Sequence, residues 1–284
     1  MKRKLEVAII SDVHLGTYGC HAEELLTYLE SIRSDTLVIN GDFIDMWQFK
    51  KKHFPRTHLQ VIQCIIKMSM NGTKVYYITG NHDDPLRKIT DLSVGNIYLR
   101  DKLILQLRGE KYWIFHGDLF DASINATPIL AKLGGKGYDM LIILNRWINK
   151  WRVKLGKNKM SFAKKIKYSV KEAVKFISNF EKTAIHLASK QNYKYVVCGH
   201  IHRAEIKEIE TNEGKVIYMN SGDWVESLTS LEYCGGKWSI YEYDKLVQDK
   251  GIPKEKEQIS KEKKILSSLI DMVNKGDIKN PPYA

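Results

Sequence analysis

Five short apolar runs in this chain each stop abruptly at a cluster of acid, amide or imidazole side chains. Val7–Ile10 runs into Ser11-Asp12-Val13-His14, and Leu37–Ile39 into Asn40-Gly41-Asp42. Val75–Ile78 leads to Gly80-Asn81-His82-Asp83, Tyr112–Phe115 to His116-Gly117-Asp118, and Tyr195–Cys198 to Gly199-His200-Ile201-His202. Short, wholly apolar runs of this kind predict strands buried on both faces. Helical spacing separates the first three, at Leu25, Leu26, Leu29 and Ile32, then at Leu59, Ile62, Ile65 and Ile66, where Asn71-Gly72 is the stop signal. This β-α-β-α-β order predicts parallel strands joined by helical crossovers. Ligands of open α/β sheets bind beyond the carboxyl ends of the strands, so the five clusters are expected to converge there.

The pattern then changes. Leu103–Leu107 and Tyr112–His116 flank Arg108-Gly109-Glu110 and predict a hairpin. Residues 122–190 have mostly helical spacing and lie between two strand regions, so they read as a helical insertion with a joint at Gly134-Gly135-Lys136-Gly137. Further β segments are expected at Ile206–Ile209, Val216–Met219 and Trp238–Tyr243, with Asn212-Glu213-Gly214 as a turn. Residues 1–244 therefore read as one domain containing the 122–190 insertion. Residues 245–284 read as a charged tail with a peripheral helix over 254–274.

The clusters hold five of the nine histidines, and none contains a thiol. Carboxylate, amide and imidazole together are a hard-to-borderline ligand set suited to Mn, Fe or Zn. If the strands continue through the motifs, residues i and i+2 point the same way, so Asp12 can grip one ion with His14, and His200 can pair likewise with His202. The ligands are too many for one ion, and a carboxylate such as Asp42 can bridge two. Two divalent ions about 3.5–4 Å apart make a clamp for in-line displacement at phosphorus, with a shared, acidified water as nucleophile. Any one cluster is compatible with a satisfied core residue. Five of them, each at a strand end, point to a metal site.

Charge and cysteines narrow the setting. The formal net charge is +12, and residues 146–175 carry two Arg and nine Lys against the single Glu172. Such a block is either a solvated helix face or the footprint of a polyanion: nucleic acid, anionic lipid or phosphorylated substrate. Trp147, Trp151 and Leu155 fall at helical spacing inside it, with Ile143, Leu144 and Ile148 nearby. This basic amphipathic pattern suits an anionic membrane surface, an acyl-chain pocket, or packing on the main domain. The four cysteines are scattered without a C-x-x-C, so reduced thiols in a cytoplasmic protein are expected. No apolar run approaches the roughly 18–20 residues of a membrane span.

The motifs D-x-H, G-D-x-x-D, G-N-H-D, H-G-D and G-H-x-H, in this order over residues 5–243, resemble the calcineurin-like metallophosphoesterase superfamily. The resemblance implies a four-layer α/β/β/α sandwich carrying a dinuclear metal centre. Carried over by motif, one ion takes Asp12, His14, Asp42 and His202, and the other takes Asp42, Asn81, His116 and His200. His82 approaches the phosphate as proton donor to the leaving oxygen. Asp83 accepts the other ring proton of His82, and Asp45 supports the site or starts a helix.

The layout is similar to one branch of that superfamily, the UDP-2,3-diacylglucosamine diphosphatases of lipid A synthesis. That branch has a helical lid between the H-G-D and G-H-x-H strands and attaches peripherally to the cytoplasmic face of the membrane. The resemblance implies metal-hydroxide attack on the diphosphate, giving UMP and lipid X, usually with manganese. Asn81 and Asp121 then stand as substrate contacts by motif, and Lys164, Lys165, Lys167 and Lys171 by charge. The best-known members of the branch carry Arg where this chain has His82, so G-N-H-D follows the general superfamily pattern. The competing readings are a phosphoesterase acting on a soluble nucleotide or phosphoprotein, a nuclease tracking a phosphate backbone with the basic block, and a fold-retaining binding protein without chemistry. Nucleic acid is the less expected partner, and no stable protein partner is expected.

Overall fold

The first strand, β1 (Arg3–Ile10), divides its side chains between two cores: Ala8 and Ile10 enter one, Val7 and Ile9 the other. That alternation is the period-two geometry of a strand covered on both faces. In the computed structural model, which describes residues 2–46, 54–120 and 162–243 (backbone alone for 162–173), further strands complete the first sheet. They are β2 (Ile32–Asn40), β3 (Lys74–Ile78), the short β4 (Ser93–Val94) and β5 (Ile97–Arg100), and near the end β11 (Thr229–Cys234) and β12 (Lys237–Glu242). Their order is β12-β11-β1-β2-β3-β5-β4, with β1, β2, β3 and β5 parallel.

Two helices cover the outer face of this sheet. Helix α1 (Ala22–Ser31) buries Ala22, Leu25, Tyr28 and Leu29, spaced three to four residues apart, and places Glu23 and Glu24 in its first turn, where negative charge suits the helix dipole. It ends one residue earlier than the apolar spacing implies, because Ile32 opens β2 without a linker. Helix α2 (Arg56–Met70) buries Val61, Ile65 and Met68 and stops at Asn71, followed by Gly72 at φ +98°.

The second sheet runs β6-β7-β8-β10-β9, from the hairpin β6 (Lys102–Leu107) and β7 (Glu110–Phe115) through β8 (Tyr195–Cys198), β9 (Glu205–Thr211) and β10 (Gly214–Asn220). Its inner face meets the first sheet through Tyr112, Ile114, Val197 and Met219 against Val7, Ile9, Val38 and Leu231. Its outer face is covered by α3 (Phe162–Lys190), whose Phe180, Ala184, Ile185 and Ala188 pack on Val196, Cys198, Val216 and Tyr218. Helices, sheet, sheet and helix make the four layers of an α/β/β/α sandwich. The last four turns of the stretch expected as an insertion are thus a layer of the sandwich itself.

Residues 121–161 and 244–284 lie outside the described residues. With them go Gly134–Gly137, the Trp147-Trp151-Leu155 stripe, Asp121 and the expected tail helix, as do the side chains of Lys164, Lys165, Lys167 and Lys171. Among the described residues no helix is long and apolar enough to cross a membrane. The four cysteines are free thiols.

Candidate metal centre

Each strand of the central pairs releases its chain at the same end of the sandwich, and the released loops are knitted by backbone hydrogen bonds. Asp12 N–H donates to Gly41 O, the N–H groups of Val13 and His14 to Asp42 O, and Leu15 N–H to Phe43 O, at 2.8–3.1 Å. The loop after β2 is tied to the loop after β3 by Met46 N–H to His82 O at 3.1 Å and by His82 N–H to Asp42 Oδ1 at 2.8 Å. Within the second sheet Gly199 N–H donates to His116 O, and across the two sheets His200 N–H donates to Asp12 Oδ2.

Inside this frame Asp12, His14 and His202 each bring one ligand atom within 4.8 Å of the others, and Asp42, His116 and His200 do the same. Asp42 Oδ2 lies between the groups, 3.4 Å from His116 Nε2 and 3.9 Å from His14 Nε2. His202 Nε2 is 3.3 Å from Asp12 Oδ1. His116 Nδ1–H donates to Asn40 O at 2.9 Å, which fixes its tautomer and turns Nε2 toward Asp42. Asp12 Oδ1, His14 Nε2, Asn81 Oδ1 and His116 Nε2 are all buried without a hydrogen-bond partner. Buried polar atoms are seldom left so. Two divalent cations would satisfy them, and the all-oxygen-and-nitrogen donor set fits Mn, Fe or Zn.

The motif residues do not sit on extended strand, as the i, i+2 argument supposes. Strand β1 ends at Ile10, and Asp12, His14, Asp42, His200 and His202 all take left-handed backbone, with φ between 52° and 69°. Side chains meet here through tight turns, each costing about 1–3 kcal/mol that the surrounding fold must offset. Glycine makes the turns possible. A Cβ at Gly41 (φ +83°) would overlap the His116 ring, and one at Gly80 would overlap Asp42 Oδ1.

The charge balance follows from burial and pairing. Burial works against a charge on Asp12, yet His202 draws its carboxyl down to about 2. Asp42 is likewise lowered against its burial by His116, then by His14 and His82. Burial pushes His14 down to about 4, only partly opposed by Asp42 and Asp12. His116 and His202 are also penalised by burial, but Asp42 raises His116 well above its ordinary range and Asp12 raises His202 to about 9.

One expected pairing is corrected. Asp83 does not serve His82: its Oδ2 accepts from Tyr77 O–H at 2.7 Å and Phe43 N–H at 3.1 Å, and its Oδ1 from Gly80 N–H. The carboxylate at His82 is Asp45, whose Oδ2 lies 3.2 Å from Nδ1. Asp223 belongs to none of the five motifs. It is fully buried after β10, caps the N–H groups of Val225, Glu226 and Ser227 with Oδ1, and adds to the field that raises His202. Its signal was present, since Asn220-Ser221-Gly222-Asp223 is another polar tip after an apolar strand.

The calcineurin-like phosphoesterase family profile matches residues 5–204. The chain is similar to the UDP-2,3-diacylglucosamine hydrolase of Aliivibrio fischeri (strain MJ11), 24% identical over 243 residues covering 84% of this chain and 98% of that protein. It is 26% identical over 226 residues to the protein of the same name from Shigella sonnei (strain Ss046), covering 76% and 89% of the two chains. Among solved structures it resembles Yfce, a phosphoesterase from E. coli, with a TM-score of 0.42 and 13% identity over 84% of this chain and 93% of that one.

Proposed function

Since the chain belongs to the calcineurin-like phosphoesterase family, we propose that it is a two-cation hydrolase that splits the diphosphate of UDP-2,3-diacylglucosamine into UMP and lipid X, with manganese as its metal. The observation that carries the catalytic reading is the position of Asp42 Oδ2 between His14 and His116, at the junction of two ligand groups. The lipid-linked substrate is supported by relatives of that activity's name, whose alignments span 98% and 89% of their own length.

In this reading Asp12, His14, Asp42 and His202 hold one cation, and Asp42, Asn81, His116 and His200 hold the other. When bound, the pair supplies an acidified water and a Lewis-acid clamp on the phosphoryl oxygens. The protein's own groups do the rest. Asp42 keeps one oxygen on His82 N–H, so its second oxygen is held toward the cations. Asp45 Oδ2 lies 3.2 Å from His82 Nδ1, an ion pair that leaves Nε2 as the proton donor to the departing oxygen. Asn81 contacts the phosphate beside its cation. The basic stretch 146–175, including Lys164, Lys165, Lys167 and Lys171, neutralises the diphosphate and the anionic membrane surface, with Asp121 as a further substrate contact.

A soluble phosphodiester is the second substrate reading, favoured by His82, which follows the general G-N-H-D pattern where the lipid branch carries Arg. Manganese-loaded protein incubated with UDP-2,3-diacylglucosamine should release UMP, and Asp42→Ala or His116→Ala should abolish release. Turnover of a generic diester with no UMP release would replace the lipid substrate with the soluble one.

A further inference from the structure

Asp83 is completely buried, yet the partners of its carboxylate are neutral: the Tyr77 hydroxyl and the N–H groups of Phe43 and Gly80. Those two backbone donors flank the centre. Phe43 directly follows Asp42, and Gly80 directly precedes Asn81. A single side chain therefore spans the loops after β2 and β3 at positions adjacent to two of the ligands. The same loops meet again above it, where His82 N–H reaches Asp42 Oδ1. Asp42 can face both ligand groups only while that spacing holds.

Tyr77 supplies the sole side-chain hydrogen bond that Asp83 receives among the described residues. It lies on β3, with its ring edge-on to Phe43 at 5.7 Å between centroids. Phenylalanine would fill the same space, so packing alone does not require the hydroxyl. A buried carboxylate that loses a donor must reorient to recover a partner, and that change alters its hold on Phe43 and Gly80.

We propose that Tyr77 is a positioning residue: through Asp83, its hydroxyl sets the spacing of the Asp42 and Asn81 loops that the two cations require. The inference rests on the two-cation reading of the site.

Calorimetric titration of Mn²⁺ into wild type, Tyr77→Phe, Asp83→Asn and the double variant tests it, with circular dichroism of the metal-free proteins to verify folding. Tyr77→Phe should fold normally and bind Mn²⁺ about tenfold more weakly, the low end of the effect of losing an outer hydrogen bond at a metal site. The double variant should be no weaker than Asp83→Asn alone, because the two residues act as one unit. Unchanged Mn²⁺ affinity in Tyr77→Phe, or losses that multiply in the double variant, would overturn the inference. If Asp83→Asn does not fold, the electron paramagnetic resonance spectrum of manganese-loaded Tyr77→Phe decides. A weakened spin-coupled signal is expected, and a wild-type spectrum refutes the proposal. Failure of wild type itself to bind two Mn²⁺ would refute the two-cation reading instead.

Discussion

The ring of His82 turns Nδ1 to Asp45, 3.2 Å away and distant in sequence from it, while the neighbouring Asp83 faces the opposite way into the core. Two acids that look interchangeable in the motifs thus have different consequences. Asp45→Asn should lower kcat by about 10–100-fold with little change in KM. His82→Ala should lower it by about 10²–10⁴-fold, the usual range for general acid catalysis. Both deficits should shrink for diesters with acidic leaving groups, which need no proton. Steady-state rates over a leaving-group series check this, and a deficit independent of leaving group would remove His82 from the acid role.

Proton linkage gives the metal-free protein a characteristic pH profile. His202, raised to about 9, contributes stability that is fully present below about 6.5 and lost as pH rises through 9, and His116, also raised, acts in the same direction. Asp12, lowered to about 2, contributes stability present above about 3.8 and lost as pH falls toward 2. His14, held down to about 4, works the other way, because below about 6.5 the unfolded chain takes up a proton that the folded one refuses. Metal-free protein should therefore lose stability as pH rises from 6.5 to 9. Metal binding must expel the protons on His116 and His202. Apparent Mn²⁺ affinity should rise across the same interval, with proton release at pH 7 measurable by titration calorimetry in buffers of different ionisation heat.

The clustering of the candidate ligands was legible because each closes an apolar run, and a strand end is a natural place for a charged group to follow a buried segment. The turn geometry was not legible, since left-handed backbone at Asp12, His14 and Asp42 is imposed by loops far apart in sequence. Strand β11 escaped because its Ser230 and Glu232 break the apolar run. Both are buried, and Glu232 receives both guanidinium nitrogens of Arg3 at 2.7 and 2.9 Å, so a cross-strand ion pair stands where an apolar residue was the sequence signal. The choice between Asp45 and Asp83 for His82 was beyond the motif for the same reason: side-chain direction depends on loop packing.

Glycine at position 80 is tested by a single methyl group. A Cβ there would overlap Asp42 Oδ1 and come within 2.7 Å of Asp42 N and 2.9 Å of His116 Cδ2. None of these is a flexible chain end that can swing aside, because Asp42 and His116 are both buried. Gly80→Ala should therefore displace the shared ligand and abolish stoichiometric Mn²⁺ binding. Gly72→Ala is the control. It adds the strain of a positive φ (+98°), which Gly80 does not have, but places nothing within 4 Å of its added Cβ, so it should cost stability and leave metal content intact. Metal analysis of the two purified variants separates crowding of the centre from backbone strain.

Metal removal should be felt by the whole sandwich, because the buried ligands come from both sheets. Without cations, Asp12 Oδ1, His14 Nε2 and His116 Nε2 stay desolvated without a hydrogen bond while five left-handed turns remain strained. Binding to the folded state alone adds about 2.7 kcal/mol when free metal is a hundredfold above its dissociation constant. For a domain of this size each kcal/mol moves the melting midpoint by roughly 2–4 °C. Chelator-treated protein should thus melt about 5–10 °C below the manganese-loaded form, with the difference restored by added Mn²⁺ and absent in Asp42→Ala. Differential scanning calorimetry measures it, and identical midpoints with and without chelator would contradict a cation pair lodged between the sheets.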